Sequence, residues 1–386
     1  MNWAFTSSGS VTETYALGLL RKMLEIPSAS YQERALADYL AEAMSDLGFQ
    51  AHIDGVGNVV GVIERGVGPT VMLLGHMDTV SGHVPVRSED GRLYGRGAVD
   101  AKGPLAAMIC AAAGAVDFRG RIVVIGVVEE ETPRSRGAMA IRATHDRPDA
   151  LIIGEPSGWS SVVLGYKGKL DLRYTVKCPA THPSNPVPKA SELAVACWDA
   201  LVELLGPDAS HGAFDQPGAT LCRLNADLTT ATADLSVRVP PGFDVDELVR
   251  KLSDRLPAGN LDVLNSVAAC RVGRADPVVR ALVSGVRQLH AQPRLVVKTA
   301  TSDMNTLAEV WDIPMATYGP GDSSLDHADD EHILLSDYMR GIDVLAVAIS
   351  ELAHLPVRPN DDADDQADDQ ADDQAIGVRL PERSLR

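Results

Sequence analysis

The chain has no Cys-x-x-Cys pair, and its five cysteines (Cys110, Cys178, Cys197, Cys222, Cys270) are scattered and odd in number. That argues against both a disulfide framework and a thiolate zinc site. No window approaches the roughly 18 uninterrupted apolar residues that a membrane helix needs. The first residues lack the basic-then-apolar layout of a signal peptide. A cytoplasmic protein with no membrane partner is expected. Basic charge is also in deficit, with 35 Lys and Arg against 53 Asp and Glu and a net charge of −18. Phosphate recognition needs a basic surface, so no nucleic-acid partner is expected.

Much of the acidity is local. Residues 361–374, "DDADDQADDQADDQ", hold eight aspartates and no apolar residue larger than alanine. Such a segment repels itself and buries too little surface to offset its ordering entropy. Residues 358–386 are therefore expected to be a disordered acidic tail, serving as a solubility extension or an interaction arm. Setting the eight aspartates aside leaves about −10 on the rest of the chain.

A length of 386 residues is too great for one small core. The apolar spacing predicts helices over 11–24 and 32–47, then short strands over 51–63, 70–77, 92–97 and 121–128, with an alanine-rich helix at 103–116. This alternation predicts an α/β sheet sandwiched between helices. After about 160 the strands lengthen and alternate, at 161–178 and 231–242, around helices at 190–204 and 244–255. Helices at 276–290 and 336–355 then restore the α/β texture. The expected architecture is a catalytic domain, 1–162 and 273–357, interrupted by an α+β insertion at 163–272.

Polar residues recur at strand ends. "GHMDTV" (75–80) puts His76 and Asp78 just after an apolar run, and "GRGAVDAKGP" (95–104) holds Asp100 in a glycine-bracketed loop. "VVEEET" (127–132) ends a core-like strand in Glu129, Glu130 and Glu131. "IIGEPS" (152–157) delivers Glu155, and "SSLDHADDEH" (323–332) carries His327. Loops at strand C-termini converge on the ligand crevice of an open α/β sheet. Carboxylates gathered there would repel one another. One or two divalent cations resolve the conflict, and mixed imidazole and carboxylate donors suit zinc, with cobalt or manganese possible.

The ordered set "GHMDTV", "GRGAVDAKGPLAAM", "VVEEETPRSRGA", "IIGEPS", "GYKGKL" and "LDHADDEHI" resembles the co-catalytic zinc metallopeptidase family over roughly 10–355. That family includes acetylornithine deacetylase, succinyl-diaminopimelate desuccinylase, carboxypeptidase G and aminoacylase. "GYKG", "KTATSDMNTLAEVW" (298–311) and "GPGDSSLDH" are most similar to its LysK type. Hydrolases of that type release lysine or ornithine from the C-terminal glutamate of an amino-group carrier protein, LysW. Ala300 stands where that type's pattern has glycine.

The resemblance implies a zinc-peptidase-like α/β/α catalytic domain with an inserted α+β lid and dimerisation domain. It implies two divalent metals bridged by Asp100, one completed by His76 and Glu155, the other by Glu131 and His327. Glu130 would be the general base, Asp78 would orient His76, and Glu129 would be a flanking carboxylate. His182, in "CPATHPSNP", would stabilise the oxyanion, in dimeric members from the partner subunit. Arg238 and Asn225 resemble lid positions that contact substrate. The substrate expected is the carrier conjugate, which calls for an open cleft with a basic rim. The alternatives are a small N-acyl amino acid and, in a different class, a non-catalytic binding protein on the same fold.

Overall fold

The structure is a computed structural model that describes residues 4–6 and 9–357; the acidic tail expected at 358–386 lies outside the described residues. Its centre is a nine-stranded sheet. Four neighbouring strands run parallel in the order Gly120–Val127, Thr70–His76, Ala150–Gly154 and Met315–Thr317. The run expected as one β segment over 51–63 is a hairpin, Gln50–Ile53 and Val59–Arg65, that pairs antiparallel outside Gly120–Val127. On the other side, Ser161–Tyr166 takes Arg294–Lys298 in parallel and Cys270–Arg271 in antiparallel pairing.

The central strands are apolar on both faces, as parallel strands covered on both sides must be. Val71 and Leu73 point into one core and Met72 and Leu74 into the other. The first core is closed by helices Glu13–Glu25, Arg34–Asp46, Lys102–Gly114, Pro277–Gln288 and Leu335–Leu352, the second by Arg136–Thr144 and Asp303–Ala308. This is the α/β/α sandwich expected from the sequence.

The insertion is an antiparallel sheet ordered Gly218–Ala226, Thr230–Val239, Gly168–Lys177, Asn260–Val267. One face, with Leu170, Leu172, Tyr174, Leu235 and Val237, packs on helices Ala190–Leu205 and Val245–Arg255. The other face is polar, with the ion pair Arg173–Asp234 at 2.6 Å. Residues 161–178 are thus two strands in two sheets. The small sheet runs from Gly168 to Val267, inside the expected 163–272, while 163–166 and 270–271 pair in the large sheet.

Helix Lys102–Gly114 is buried nearly all round, which its alanines permit. It sits close to the sheet because three glycines, Gly126, Gly75 and Gly154, lie in register across adjacent central strands. A Cβ on Gly126 would lie 2.8 Å from Met77 Cγ and 3.2 Å from Leu105 Cδ2, and one on Gly154 would lie 2.9 Å from Met108 Cε. The row sits immediately before the strand ends that carry the polar residues. Gly126→Ala is expected to lower stability in urea by about 1–3 kcal/mol through overpacking, with the denaturant slope unchanged.

Candidate metal centre

The parallel strands end on one edge, and three of the four deliver donors there. His76 is the last residue of Thr70–His76, Glu155 directly follows Ala150–Gly154, and the glutamates follow Gly120–Val127 after Val128. The chain turns at Glu129, whose φ of 59° lies in the left-handed region. That turn takes the next two residues out of strand alternation. Glu129 itself is 7% exposed, ion-paired with Arg136 at 2.6 Å, and its N–H donates to Glu33 Oε1. Its carboxylate is thus held against Arg136 at the turn, outside the two donor groups.

Asp78 is fully buried. Its Oδ1 accepts the N–H of Glu130 at 3.0 Å, and its Oδ2 accepts the N–H of Glu131 at 3.1 Å and the Ser30 hydroxyl at 2.8 Å. These bonds and the neighbouring His76 hold its carboxyl below the usual range even though burial acts the other way. Its grip on His76 differs from the expectation. His76 Nδ1 lies 2.8 Å from the backbone carbonyl of Asp78 and 3.6 Å from its Oδ1. A carbonyl can only accept, so Nδ1 carries a hydrogen and Nε2 is left to face the cluster.

Asp100 sits between the two histidines. Its Oδ1 is 3.1 Å from His76 Nε2 and its Oδ2 is 3.0 Å from His327 Nε2. His76 Nε2 is also 3.8 Å from Glu155 Oε1, and His327 Nε2 is 2.9 Å from Glu131 Oε1. Among the described residues, the donor atoms of His76, Glu130 and Glu155 lie within 4.8 Å of one another, as do those of Asp100, Glu131 and His327. The structure thus brings all five expected ligands and Glu130 into two adjoining groups. Glu130 is close enough to be a ligand by distance alone.

The Asp100 loop is held by a residue that the sequence reading missed. Glu331, fully buried, accepts the N–H groups of Val99, Asp100 and Gly97 at 2.9, 3.1 and 3.0 Å, and pairs with Arg96 at 2.8 Å. In the sequence it is one acid among several in "DHADDEH". Asp303 was also missed. It is 1% exposed, and burial pushes its carboxyl up to about 7.

The electrostatics of the donor cluster suit a cation. Burial, reinforced by neighbouring carboxylates, pushes Glu130, Glu155 and Glu131 above the ordinary carboxylate range. His76 is raised because Asp100, Asp78, Glu155 and Glu130 outweigh its burial, and hydrogen bonding to Asp100 raises His327 to about 9. Asp100 is driven the other way, well below the usual range, by the two histidines against its burial. Buried oxygen donors and imidazoles that would otherwise have to retain protons are a donor set suited to divalent metal.

The remaining expected residues are not at the cluster within one chain. His182 is exposed in the loop after Gly168–Lys177, and its Nδ1 contacts the Ser184 hydroxyl at 2.7 Å. Asn225 is exposed on the outer strand opposite Thr232, seven residues from Gly218 and so roughly 23 Å along the strand from it. Arg238 lies at the near end, opposite Gly218, and donates to Thr301 Oγ1 at 3.0 Å. Thr301, Lys169 and Asn265–Val267 line a cleft of about 750 Å³ between insertion and large sheet, with Glu130 in its wall. Arg134, Arg136 and Arg142 lie on the same cleft.

Residues 72–351 match peptidase family M20/M25/M40. The chain is 40% identical over 351 residues to the LysW-lysine hydrolase of Deinococcus radiodurans, covering 86% of this chain and 96% of that one. It is 36% identical to a putative LysW-lysine/LysW-ornithine hydrolase of Pyrococcus furiosus, with the same two coverages. Among solved structures, it is similar to a tripeptidase of Staphylococcus aureus (TM-score 0.77, 17% identity, 89% of this chain and 99% of that one). It is also similar to an M20 family metallo-carboxypeptidase of Sulfolobus solfataricus (TM-score 0.73, 18% identity, 88% and 99%).

Because Glu131, Glu155 and the two histidines favour their protons without metal, metal uptake must expel them. Affinity for zinc or cobalt is expected to fall as the pH is lowered from about 8 to about 6. Calorimetry in buffers of different ionisation enthalpy should record proton release on binding. Asp78→Ala should weaken metal affinity about 10–100-fold, read by competition with a chromophoric chelator.

Proposed function

The chain belongs to the M20/M25/M40 peptidase family, and from that premise we propose that it hydrolyses the amide joining lysine or ornithine to the C-terminal glutamate of a LysW-type amino-group carrier protein. What carries this substrate is the similarity, over 86% of the chain, to hydrolases named for LysW conjugates. The cleft adds support, because Arg134, Arg136, Arg142 and Lys169 gather there on an otherwise acidic chain. A small N-acyl amino acid is the second reading. It is favoured by the pairing of Arg136, Arg142 and Lys169 with Glu129, Glu309 and Asp171, which leaves less charge for an acidic carrier.

His76, Asp100 and Glu155 would hold one divalent ion, and Asp100, Glu131 and His327 a second, with zinc proposed and cobalt possible. The ions would supply Lewis acidity and lower the pKa of a shared water. Asp78 and Glu331 fix the backbones that carry the donors. Glu130, whose carboxyl favours the proton, takes one from the water that attacks the amide carbonyl. It then passes that proton to the leaving nitrogen as the C–N bond breaks. Arg238, at the cleft end of the insertion, binds a substrate carboxylate or carbonyl in this reading.

Residues 168–267 act in this proposal as lid and dimerisation domain. His182 and Asn225, at the far end of the small sheet, would serve the cleft of a second copy, His182 on the oxyanion. The cytoplasmic location expected from the sequence belongs to the same proposal. No helix among the described residues is long and apolar enough to cross a membrane.

Glu130→Ala is expected to retain metal and lower turnover by about 10²–10⁴-fold, whereas Asp100→Ala should lose metal. Equal metal loss in both would refute the division of roles. Zinc-loaded protein should release amine from a LysW-lysine or LysW-ornithine conjugate in a chelator-sensitive way, and faster than from N-acetylornithine or N-succinyl-diaminopimelate. The reverse preference would establish the small-substrate reading.

A further inference from the structure

The chain leaves the large sheet for the insertion at Lys167 and returns at Ala268–Ala269. The two crossings touch: a Cβ on Gly168 would lie 2.5 Å from Val267 O and 2.6 Å from Ala269 N. One side chain binds both. Asn305, 1% exposed on helix Asp303–Ala308, donates from Nδ2 to Lys167 O at 3.0 Å and to Ala268 O at 2.8 Å. Its Oδ1 accepts the N–H of Ser302 at 2.9 Å. Two carbonyl acceptors on one side and a backbone donor on the other leave the amide a single orientation.

The segment that carries Asn305 also bonds to a crossing, to the insertion and to the chain after Glu155. The backbone carbonyl of Lys298 accepts the N–H of Lys167 at 3.1 Å, and its Nζ donates to the carbonyl of Pro156, the residue after Glu155, at 2.6 Å. Thr301 takes the Arg238 guanidinium of the insertion. Just beyond the helix, Glu309 accepts the N–H of Ala268 at 3.2 Å while paired with Arg142 at 2.8 Å.

We propose that Asn305 is a positioning residue that pins both crossings of a two-stranded hinge, so that segment 298–305 sets the orientation of the insertion over the cleft. A side chain that fixed only its own helix would have no reason to spend both amide hydrogens on the two chains entering and leaving another domain. Without Asn305 the two crossing carbonyls lose their shared donor, and the insertion is held over the cleft by the bonds of Lys167 to Lys298, Arg238 to Thr301, Ala268 to Glu309 and Asn265 to Pro133.

Two variants separate pinning from capping. Asn305→Ala removes everything, whereas Asn305→Asp keeps the acceptor for Ser302 N–H and removes both donors to the crossings. Hydrogen exchange by mass spectrometry, which needs no substrate, is expected to accelerate about tenfold in peptides covering 165–170 and 266–271 in both variants, the factor appropriate to one lost hydrogen bond. Exchange in 70–76 and 120–127 should be unchanged. With metal content unaltered, kcat should fall several-fold in both.

Wild-type exchange in Asn305→Asp, or equal acceleration of hinge and core peptides, would overturn the pin. Should either variant fail to fold, Glu309→Ala, at a half-exposed site, must accelerate 266–271 alone; no acceleration there is also fatal. The kinetic effect rests on the hydrolase function proposed above and the exchange effect does not, so the two can fail separately.

Discussion

The constraint on which the structure depends is the collection of carboxylates that the parallel strands and the loop before helix Lys102–Gly114 bring to one edge. Asp100, Glu130, Glu131 and Glu155 crowd against the buried imidazole of His76 and the half-exposed one of His327. Left alone they would repel one another or take up protons. The surrounding fold is organised to prevent their relaxation. The glycine row lets a fully buried helix come close beneath the strand ends, and the helix begins two residues after Asp100. The left-handed turn at Glu129 is of a kind that stores roughly 1–3 kcal/mol of strain, and the Arg136 ion pair and the Glu33 hydrogen bond offset it.

Two further acids do the holding. Asp78 and Glu331 are buried as deeply as any residue in the chain, yet neither belongs to the two donor groups. Each instead spends its oxygens on backbone N–H groups of a donor-bearing loop, Asp78 on Glu130 and Glu131, Glu331 on Val99, Asp100 and Gly97. A buried backbone N–H must find an acceptor. A carboxylate offers enough lone pairs to satisfy several at once and so fixes a loop that has no regular structure. The site is therefore built from donors that face inward and acids that grip the donors' backbones.

What was legible in the sequence follows from this division. His76, Asp100, Glu131, Glu155 and His327 stand at the ends of apolar runs or in glycine-marked loops, so position alone marks them. Glu331 is one of four acids in "DHADDEH", and only the three-dimensional path of the Asp100 loop distinguishes it. Asn305 and Asp303 lie in a short helix whose neighbours are apolar, with nothing local to announce the bond from Asn305 to Lys167 or the burial of Asp303. The outer strands of the small sheet, Gly218–Ala226 and Asn260–Val267, escaped for a different reason. They are edge strands with largely exposed side chains, so the alternation that reveals a half-buried strand is absent. His182 and Asn225 were named by resemblance, and in a single chain the resemblance has no geometry to act through.

The two kinds of acid also bear on which one can move a proton. A carboxylate that accepts several N–H groups is stabilised in its charged form and makes a poor base, because its proton affinity is low. Asp78 is in that position. Asp100 is held ionised by two histidines and spans both donor groups, so it too is unsuited to carrying a proton. Glu131 hydrogen-bonds to His327 and is committed to the second group. Glu130 and Glu155 have no described N–H donor to their oxygens, and burial pushes both above the ordinary carboxylate range. Of these, Glu130 lines the open cleft and Glu155 does not. A general base must both favour the proton and reach the substrate. Glu130 lies as near His76 as a ligand would, and its place in the cleft wall is what the general-base role proposed for it requires.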